Sequence, residues 1–296
     1  MTTHTPVLLK EVLEGLAIKP NMTVVDGTAN GGGHAQEFLK LISPNGTLIA
    51  IELDSTMIPM LQKKLSSTSS KVFIKNDNYK NIAKILNECG IREVEAILLD
   101  LGFSTTQLSQ MRGFSFNENS ALDMRFSNEN LTTARELLNN ESEDEIIRIL
   151  IEYGEERFAK RIAHNICESR KKKSIDTTSD LVNIIYNSLP YFARKGKIHF
   201  ATRVFQALRI AVNRELDNLL IFLNLIPQIL SQNGRVGIIS FHSLEDRIVK
   251  RNFQLFEKSG YFIRVNKKPI IAHENEKREN PKSRSAKLRI LERLKK

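Results

Sequence analysis

The residues whose types and spacing best suit chemistry are Asp26-Gly27-Thr28-Ala29-Asn30-Gly31-Gly32-Gly33-His34. An apolar β-like run, Thr23-Val24-Val25, precedes them, and a helix-like segment from Ala35 to Lys40 follows. A second apolar run, Thr47-Leu48-Ile49-Ala50-Ile51, ends on Glu52. Strand, glycine turn, helix, strand, acid is the layout of a nucleotide-cofactor site in a doubly wound α/β fold. Glycines let the backbone turn tightly and approach a ligand. A carboxylate at Glu52 accepts two hydrogen bonds from a ribose diol. Gly31 and Gly33 fit the first two positions of a dinucleotide fingerprint, but Gln36 occupies the third, so the nicotinamide match is poor. S-adenosylmethionine suits the pattern better, because it has no pyrophosphate to cradle.

The elements that must hold these residues alternate. Strand-like runs at 23–26, 47–52, 71–75 and 95–100 are interleaved with helix-like runs near 8–16, 33–42, 55–65 and 79–89. This is the rhythm of a parallel sheet covered on both faces. Asp26, Glu52, Asp77 and Asp100 fall at or just after strand ends, where ligands sit in open α/β sheets. Four acids in register predict one shared cleft; the competing reading is that each caps a helix. At Ser104 the rhythm stops. The capping spacings Ser142-x-x-Glu145 and Thr177-x-x-Asp180, each followed by apolar residues near helical spacing, predict a mostly helical insertion over 105–198. The core is predicted to comprise 1–104 and 199–296, resuming with one long helix from Ala201 to about Asn233 and a strand at Arg235–Ser240.

Charge narrows the partners. The 296 residues carry a formal net charge of +10. From Arg264 to Lys296, 12 Lys/Arg stand against 4 Asp/Glu, which reads as a basic C-terminal tail for a polyanion such as nucleic acid. Cys89 and Cys167 are the two cysteines, far apart and without metal-ligand spacing, which favours a reducing compartment and predicts no metal site. The first residues lack the features of a secretory signal. The most apolar helix-like run, 219–230, is broken by Asn224, Pro227 and Gln228 and is too short to span a bilayer. A soluble, cytoplasmic protein is expected.

Further motifs are Ala96-Ile97-Leu98-Leu99-Asp100-Leu101-Gly102-Phe103-Ser104, Arg112-Gly113-Phe114-Ser115-Phe116 and Leu122-Asp123-Met124-Arg125. The helix-like Thr202-Arg203-Val204-Phe205-Gln206-Ala207-Leu208-Arg209, the turn Ser240-Phe241-His242-Ser243-Leu244-Glu245-Asp246-Arg247 and the run Asn280-Pro281-Lys282-Ser283-Arg284-Ser285-Ala286-Lys287-Leu288-Arg289 follow. Together, from His4-x-Pro6-Val7-Leu8-Leu9 onward, they closely resemble the bacterial small-subunit rRNA cytosine-N4 methyltransferase family, the MraW/RsmH family. The resemblance implies a Rossmann-like class I S-adenosylmethionine-dependent methyltransferase fold carrying the helical insertion as an RNA-recognition domain. It implies methylation of the exocyclic amine of a decoding-centre cytosine in 16S rRNA, within the small ribosomal subunit or an assembly intermediate.

By the same resemblance the cofactor contacts fall on Gly32, Gly33, His34, Glu52, Tyr79, Asp100 and Gln107. Glu52 stands where Asp is more usual, and Phe103-Ser104-Thr105-Thr106-Gln107 where Val-Ser-Ser-Pro-Gln is typical. Asp100 is a candidate acceptor for the N–H groups of the target amine. His242 has two readings, a proton acceptor or base contact and a cap on the next helix. Asp123, Arg125 and Ser240 are candidate RNA-pocket residues, with an internal ion pair as the bland reading of Asp123 and Arg125. Arg203, Arg209, Lys282, Arg284, Lys287 and Arg289 are candidate phosphate contacts. The target base has to leave its stack to react, so a single-stranded or splayed nucleotide is expected. The competing functions are a methyltransferase acting on another RNA or on DNA, and a non-catalytic RNA-binding ribosome-assembly factor.

Overall fold

A computed structural model of the chain describes residues 6–66, 69–102, 112–127, 130–196 and 198–295. They divide into two compact units, 1–104 with 216–296, and 105–215.

The first unit is built on one sheet. Its strands are β1 (Thr23–Asp26), β2 (Thr47–Glu52), β3 (Lys71–Asn76), β4 (Val94–Asp100), β5 (Leu230–Ser240), β6 (Phe262–Arg264), β7 (Ile270–Ile271) and β8 (Lys287–Arg293). The order is β3-β2-β1-β4-β5-β8-β6, with β7 also on β8. Strands β1 to β5 pair in parallel, and β8 runs antiparallel to β5, β6 and β7. The chain moves outward from β1 through β2 to β3, then returns to place β4 on the other side of β1. That reversal is a topological switch point, where such sheets open a crevice at their carboxyl ends. This is the Rossmann-like class I methyltransferase arrangement.

Both sheet faces are apolar, and successive residues divide between them. Val24, Leu48 and Leu98 face a layer with Val12 and Leu16 of α1 (Leu9–Leu16), Phe38 and Ile42 of α2 (Gly33–Ile42) and Leu61 of α3 (Ile58–Leu65). Val25, Ile49 and Leu99 face the opposite layer. It contains Ile82 and Ile85 of α4 (Ile82–Glu88), Phe222 and Ile226 of a helix at Glu215–Ile229, and Val249 and Phe253 of a helix at Ser243–Lys258. Burying side chains on both faces is what a parallel sheet requires.

The second unit is helical among its described residues: α5 (Ala134–Asn140), α6 (Glu143–Glu152), α7 (Ala159–Lys172), α8 (Thr178–Ser188), α9 (Tyr191–Arg194) and α10 (Thr202–Asn213). The capping spacings mark real starts. The Ser142 side chain accepts from the Glu145 amide, and Thr177 and Asp180 form a full capping box. Leu138, Ile146, Leu150, Ile162, Ile166, Leu181 and Ile185 form its core.

Three expectations need correction. The long helix is two helices: α10 ends at Asn213, Arg214 takes a left-handed φ of 51°, and α11 covers Glu215–Ile229. Long-range bonds hold the break, since Asn213 Nδ2 donates to Met124 O at 2.7 Å and Asn213 Oδ1 accepts from Phe126 N at 2.8 Å. The second unit therefore extends to 215 rather than 198, because Val204, Phe205, Leu208 and Val212 of α10 pack in its core. The basic C-terminal stretch is not a tail, for it supplies β6, β7 and β8 and a short helix, α13 (Glu274–Glu279), with α12 being Ser243–Lys258. Among the described residues, no helix is long and apolar enough to cross a membrane.

Arg289 shows why charge misleads in that stretch. It lies on β8, is buried, and binds Asp246 of α12 through Nε at 2.6 Å and Nη2 at 3.3 Å. It is a sheet-to-helix strut and not a surface phosphate contact. Removing one member of a buried pair strands the other charge, so Arg289→Ala is expected to lower the unfolding free energy by about 3 kcal/mol. Urea titration of the variant checks this, and wild-type stability would remove the strut.

Candidate cofactor-binding site

Three acids meet at the switch point. Asp26 lies beside Ala50 on β2 and beside Leu98 on β4, so Glu52 and Asp100 each stand two residues further along a neighbouring strand. Adjacent strands are about 4.8 Å apart, so the three carboxylates crowd one end of the sheet. Their residues are 1%, 4% and 6% exposed for Asp26, Glu52 and Asp100. Burial pushes each carboxyl up to about 7, and Asp26 is raised further by the charges of Asp100 and Glu52.

Backbone donors offset part of that cost. Glu52 accepts the Asn30 N–H on Oε2 at 2.6 Å and the Asp54 N–H on Oε1 at 2.7 Å. Asp100 Oδ1 accepts from Gly102 N at 3.1 Å, and Asp26 Oδ1 from Thr28 N at 3.3 Å. The glycine turn is stitched to the sheet by Gly27 N to Leu98 O at 2.9 Å and Ala29 N to Ile51 O at 2.8 Å. Gly27 crosses β4 so closely that a Cβ there would lie 2.3 Å from Leu99 Cδ2. Gly32, at φ +71°, takes the left-handed conformation that precedes α2. No side-chain hydrogen bond caps α2 at that residue.

The other expected cofactor contacts divide. Gly33 and His34 open α2. The buried His34 places Nε2 3.0 Å from Val7 O and Nδ1 3.9 Å from Asp100 Oδ2. A carbonyl only accepts, so Nε2 carries a proton and donates to Val7 O. Tyr79 begins a 3-10 turn and meets Phe222 edge-on with ring centres 6.0 Å apart. Its Cβ would lie 3.5 Å from a Cβ on Gly27, which puts it beside the glycine turn. Gln107 lies outside the described residues. Asp77 does not join the acid cluster by its hydrogen bonds: its Oδ1 accepts from Asn78 N at 2.6 Å and Asn81 Nδ2 at 2.7 Å, within its own turn.

At the neighbouring strand end, Leu101 N donates to Ile239 O at 3.0 Å, which holds Leu101 against the end of β5. Ser240 is buried and donates to Lys287 O at 3.4 Å. His242 caps α12: its Nδ1 accepts the Glu245 N–H at 3.4 Å, while Glu245 Oε2 accepts from Phe241 N at 2.8 Å and His242 N at 3.3 Å. Of the two roles expected for His242, capping is the one the geometry displays. In the second unit, Asp123 grips Arg125 through two bonds of 2.8 and 2.9 Å, and Arg125 Nη1 donates to Asn130 O at 2.9 Å. This is the internal pair. Arg209 is likewise held by Glu215, at 2.8 and 2.9 Å. Arg203 reaches Glu155 O at 3.4 Å, and Lys287 lies 3.3 Å from Asp246 Oδ2. Arg284 is exposed on a 3-10 turn, Pro281–Ser285.

Two site residues escaped sequence reasoning in their structural role. Thr28 Oγ1 accepts the Asp100 N–H at 2.6 Å, which pins the glycine turn to β4. Lys282, expected on phosphate, is partly buried; burial lowers its pKa, and the negative charge of Asp100 pulls it back up. Asn280-Pro281-Lys282 was the available signal, but sequence spacing alone does not return it to Asp100.

The acids make stability depend on pH. Each titrates at about 7 when folded, against an ordinary 3.8 for Asp26 and Asp100 and 4.5 for Glu52. Between those values the folded chain holds the extra protons, so their contribution weakens the ligand-free fold as pH rises from about 4 to about 7. Asp100→Asn is expected to flatten that slope and raise the melting temperature at pH 8. Thermal scans across this range check it, and identical slopes for variant and parent would reject the buried-acid cluster.

Residues 1–294 match the MraW methylase family. The chain is 44% identical to ribosomal RNA small subunit methyltransferase H of Acetivibrio thermocellus, over 98% of this chain and 99% of that protein. It is 44% identical to the protein of the same name from Coprothermobacter proteolyticus, over 97% and 95%. The Thermotoga neapolitana protein of that name is 45% identical, over 98% and 95%. With the family match covering residues 1–294 and 44–45% identity to relatives over nearly the whole chain, the protein belongs to the MraW methylase family.

Proposed function

We propose that the chain transfers a methyl group from S-adenosylmethionine to the N4 exocyclic amine of a decoding-centre cytosine in 16S rRNA, presented by the small ribosomal subunit or an assembly intermediate. The observation that carries the reading is the glycine turn between β1 and α2 lying against Glu52 and Asp100. Family membership with rRNA small subunit methyltransferases supports the substrate class.

The residues fit this cofactor. Each Glu52 oxygen accepts one backbone N–H and keeps lone-pair capacity for a ribose hydroxyl. Tyr79 offers a ring beside the turn for adenine. At the start of α2, Gly33 offers its N–H to a carboxylate, while the Gly32 N–H is already donated to Ala29 O at 2.7 Å and Gly32 supplies the left-handed turn; Gly32 and His34 remain contacts of the cofactor in this reading. Gln107 supplies a further polar contact in this reading. Buried acids favour a cationic ligand over a neutral one. When bound, S-adenosylmethionine supplies a methyl on a sulfonium, an electrophile that needs a nucleophile held in line.

The chain's task is then the nucleophile. The N4 lone pair is delocalised into the cytosine ring. Asp100, accepting an N–H of the amine, favours its pyramidal form and holds it in line. Carbonyl oxygens after β4 are further acceptors. The amine loses its proton as or after the N–C bond forms, so Asp100 near neutrality is able to take it. His242 acts here through the α12 cap that shapes the turn after Ser240.

Labelled methyl transfer to small subunits lacking the modification, followed by nucleoside mass spectrometry, tests the whole reading. N4-methylcytidine, or its 2′-O-methyl derivative, is expected. Label in another nucleoside, or none despite cofactor binding, would reject it. Asp100→Ala is expected to lower kcat by roughly two orders of magnitude or more with the fold intact, and near-parental turnover removes Asp100 from the mechanism. Glu52→Ala should weaken cofactor binding about tenfold, read by calorimetry, and unchanged affinity refutes the ribose role.

A further inference from the structure

The second unit separates its charges along the chain. Residues 130–156 carry 2 Lys/Arg against 8 Asp/Glu, whereas 157–203 carry 11 against 3. Within the basic half, aromatic rings lie open to solvent. Tyr191 is 69% exposed, Phe192 75% and Tyr186 44%, far more than a monomer leaves on packing-determined rings.

These rings cluster along the end of α8 and α9, each beside another ring or a cation. Phe192 meets Phe158 with centroids 6.3 Å apart, at the start of α7 where Arg157, Lys160 and Arg161 are exposed. Among the described residues none of those three cations has an ion-pair partner. Lys195 Nζ lies 4.9 Å from the centre of the Tyr191 ring. The Arg194 guanidinium lies 4.1 Å from the Tyr186 ring centre, and its Nε donates to Leu189 O at 3.0 Å, which fixes its plane. Tyr186 in turn packs on Phe200 at 5.7 Å.

We propose that Tyr186, Tyr191, Phe192, Arg194 and Lys195 form a stacking platform for unpaired bases of the RNA substrate, with Arg157, Lys160 and Arg161 taking the backbone phosphates. The proposal rests on the RNA substrate of the preceding reading and adds the surface that holds it. Exposed rings interleaved with cations are what single-stranded nucleic acid binds: every base has a π face, and every linkage carries a charge. A protein partner of ordinary apolar character would have to desolvate these cations at a cost, whereas phosphates pair with them. The platform reads no sequence. It holds the strand flanking a base that has left its stack.

Fluorescence anisotropy of the full chain with a labelled single-stranded oligoribonucleotide carrying the target cytosine tests this. The rings are exposed, so their truncation leaves the core intact. Tyr191→Ala and Phe192→Ala are each expected to weaken binding about tenfold. Phe192→Trp should restore it and, in a chain with 0 tryptophans, give an indole signal quenched on RNA binding. Lys160→Ala should reduce the slope of log K against log salt by about 0.7. Parental RNA affinity in the Tyr191→Ala/Phe192→Ala double variant overturns the platform. So does a parental dimer that this double variant dissociates without loss of RNA affinity, because the face is then a protein interface. Cofactor calorimetry and methyl transfer are read separately. RNA binding that depends on the rings, without transfer of a methyl, overturns the catalytic reading and leaves the platform standing.

Discussion

Three carboxylates, buried at the ends of β1, β2 and β4, are the constraint around which the first unit is arranged. Each pays for leaving water, and Asp26 is also repelled by its two neighbours. Such a cluster persists only where the scaffold over-determines it. The scaffold here is a parallel sheet with apolar layers on both faces, so the strand ends have little freedom to splay. The backbone completes the restraint: the amides of Asn30, Asp54, Gly102 and Thr28 all aim at carboxylate oxygens. Carboxylates held in this way present their remaining lone pairs to a ligand without reorganising.

The same constraint accounts for the far edge of the sheet. A parallel edge at β5 would leave its ladder groups unpaired beside the loop that follows Ser240. Strand β8 closes that edge in the antiparallel sense, register Ser240 with Lys287 and Arg235 with Glu292. Its Arg289 binds Asp246 in the first turn of α12, and the His242–Glu245 capping box starts the same helix. The turn from Ser240 to Ser243 is thus held by β8 on one side and by its own cap on the other. Leu101 hydrogen-bonds to the strand leading into it, so Leu101 and Gly102 share this anchoring.

What was legible in the sequence follows from where the physics is local. The alternation of apolar runs with helical spacing locates β1 to β4 and α1 to α4 within a few residues, because each buries its side chains by its own period. The glycine turn and its strand-end acids were visible because Gly27 and Gly32 answer a local backbone demand. What remained hidden depends on distant partners. Arg214 ends α10 with no glycine or proline to announce it, since the break is held by Asn213 bonding to Met124 and Phe126. Lys287-Leu288-Arg289-Ile290-Leu291-Glu292-Arg293 reads as a charged tail until its pairing with β5 is seen to bury Leu288, Arg289, Ile290 and Leu291 in a sheet. Arg289 and Arg209 looked like phosphate ligands because a sequence shows a charge and not the carboxylate, Asp246 or Glu215, that already holds it.

The distribution of charge divides labour in a way that neither unit achieves by itself. Stacking platforms and phosphate contacts supply affinity with little sequence information. The basic half of the second unit is suited to that and little else. Under the proposed function, discrimination between a cytosine amine and another nucleophile falls to the acid-lined end of the first unit's sheet, where acceptors are fixed and buried. A site built from buried acids would repel a polyanion if it also had to capture it. Capture on exposed cations and chemistry among buried carboxylates are therefore opposed electrostatic demands. A chain that meets both must keep them on different surfaces, and a helical insertion after β4 is a means of doing so without disturbing the strand ends.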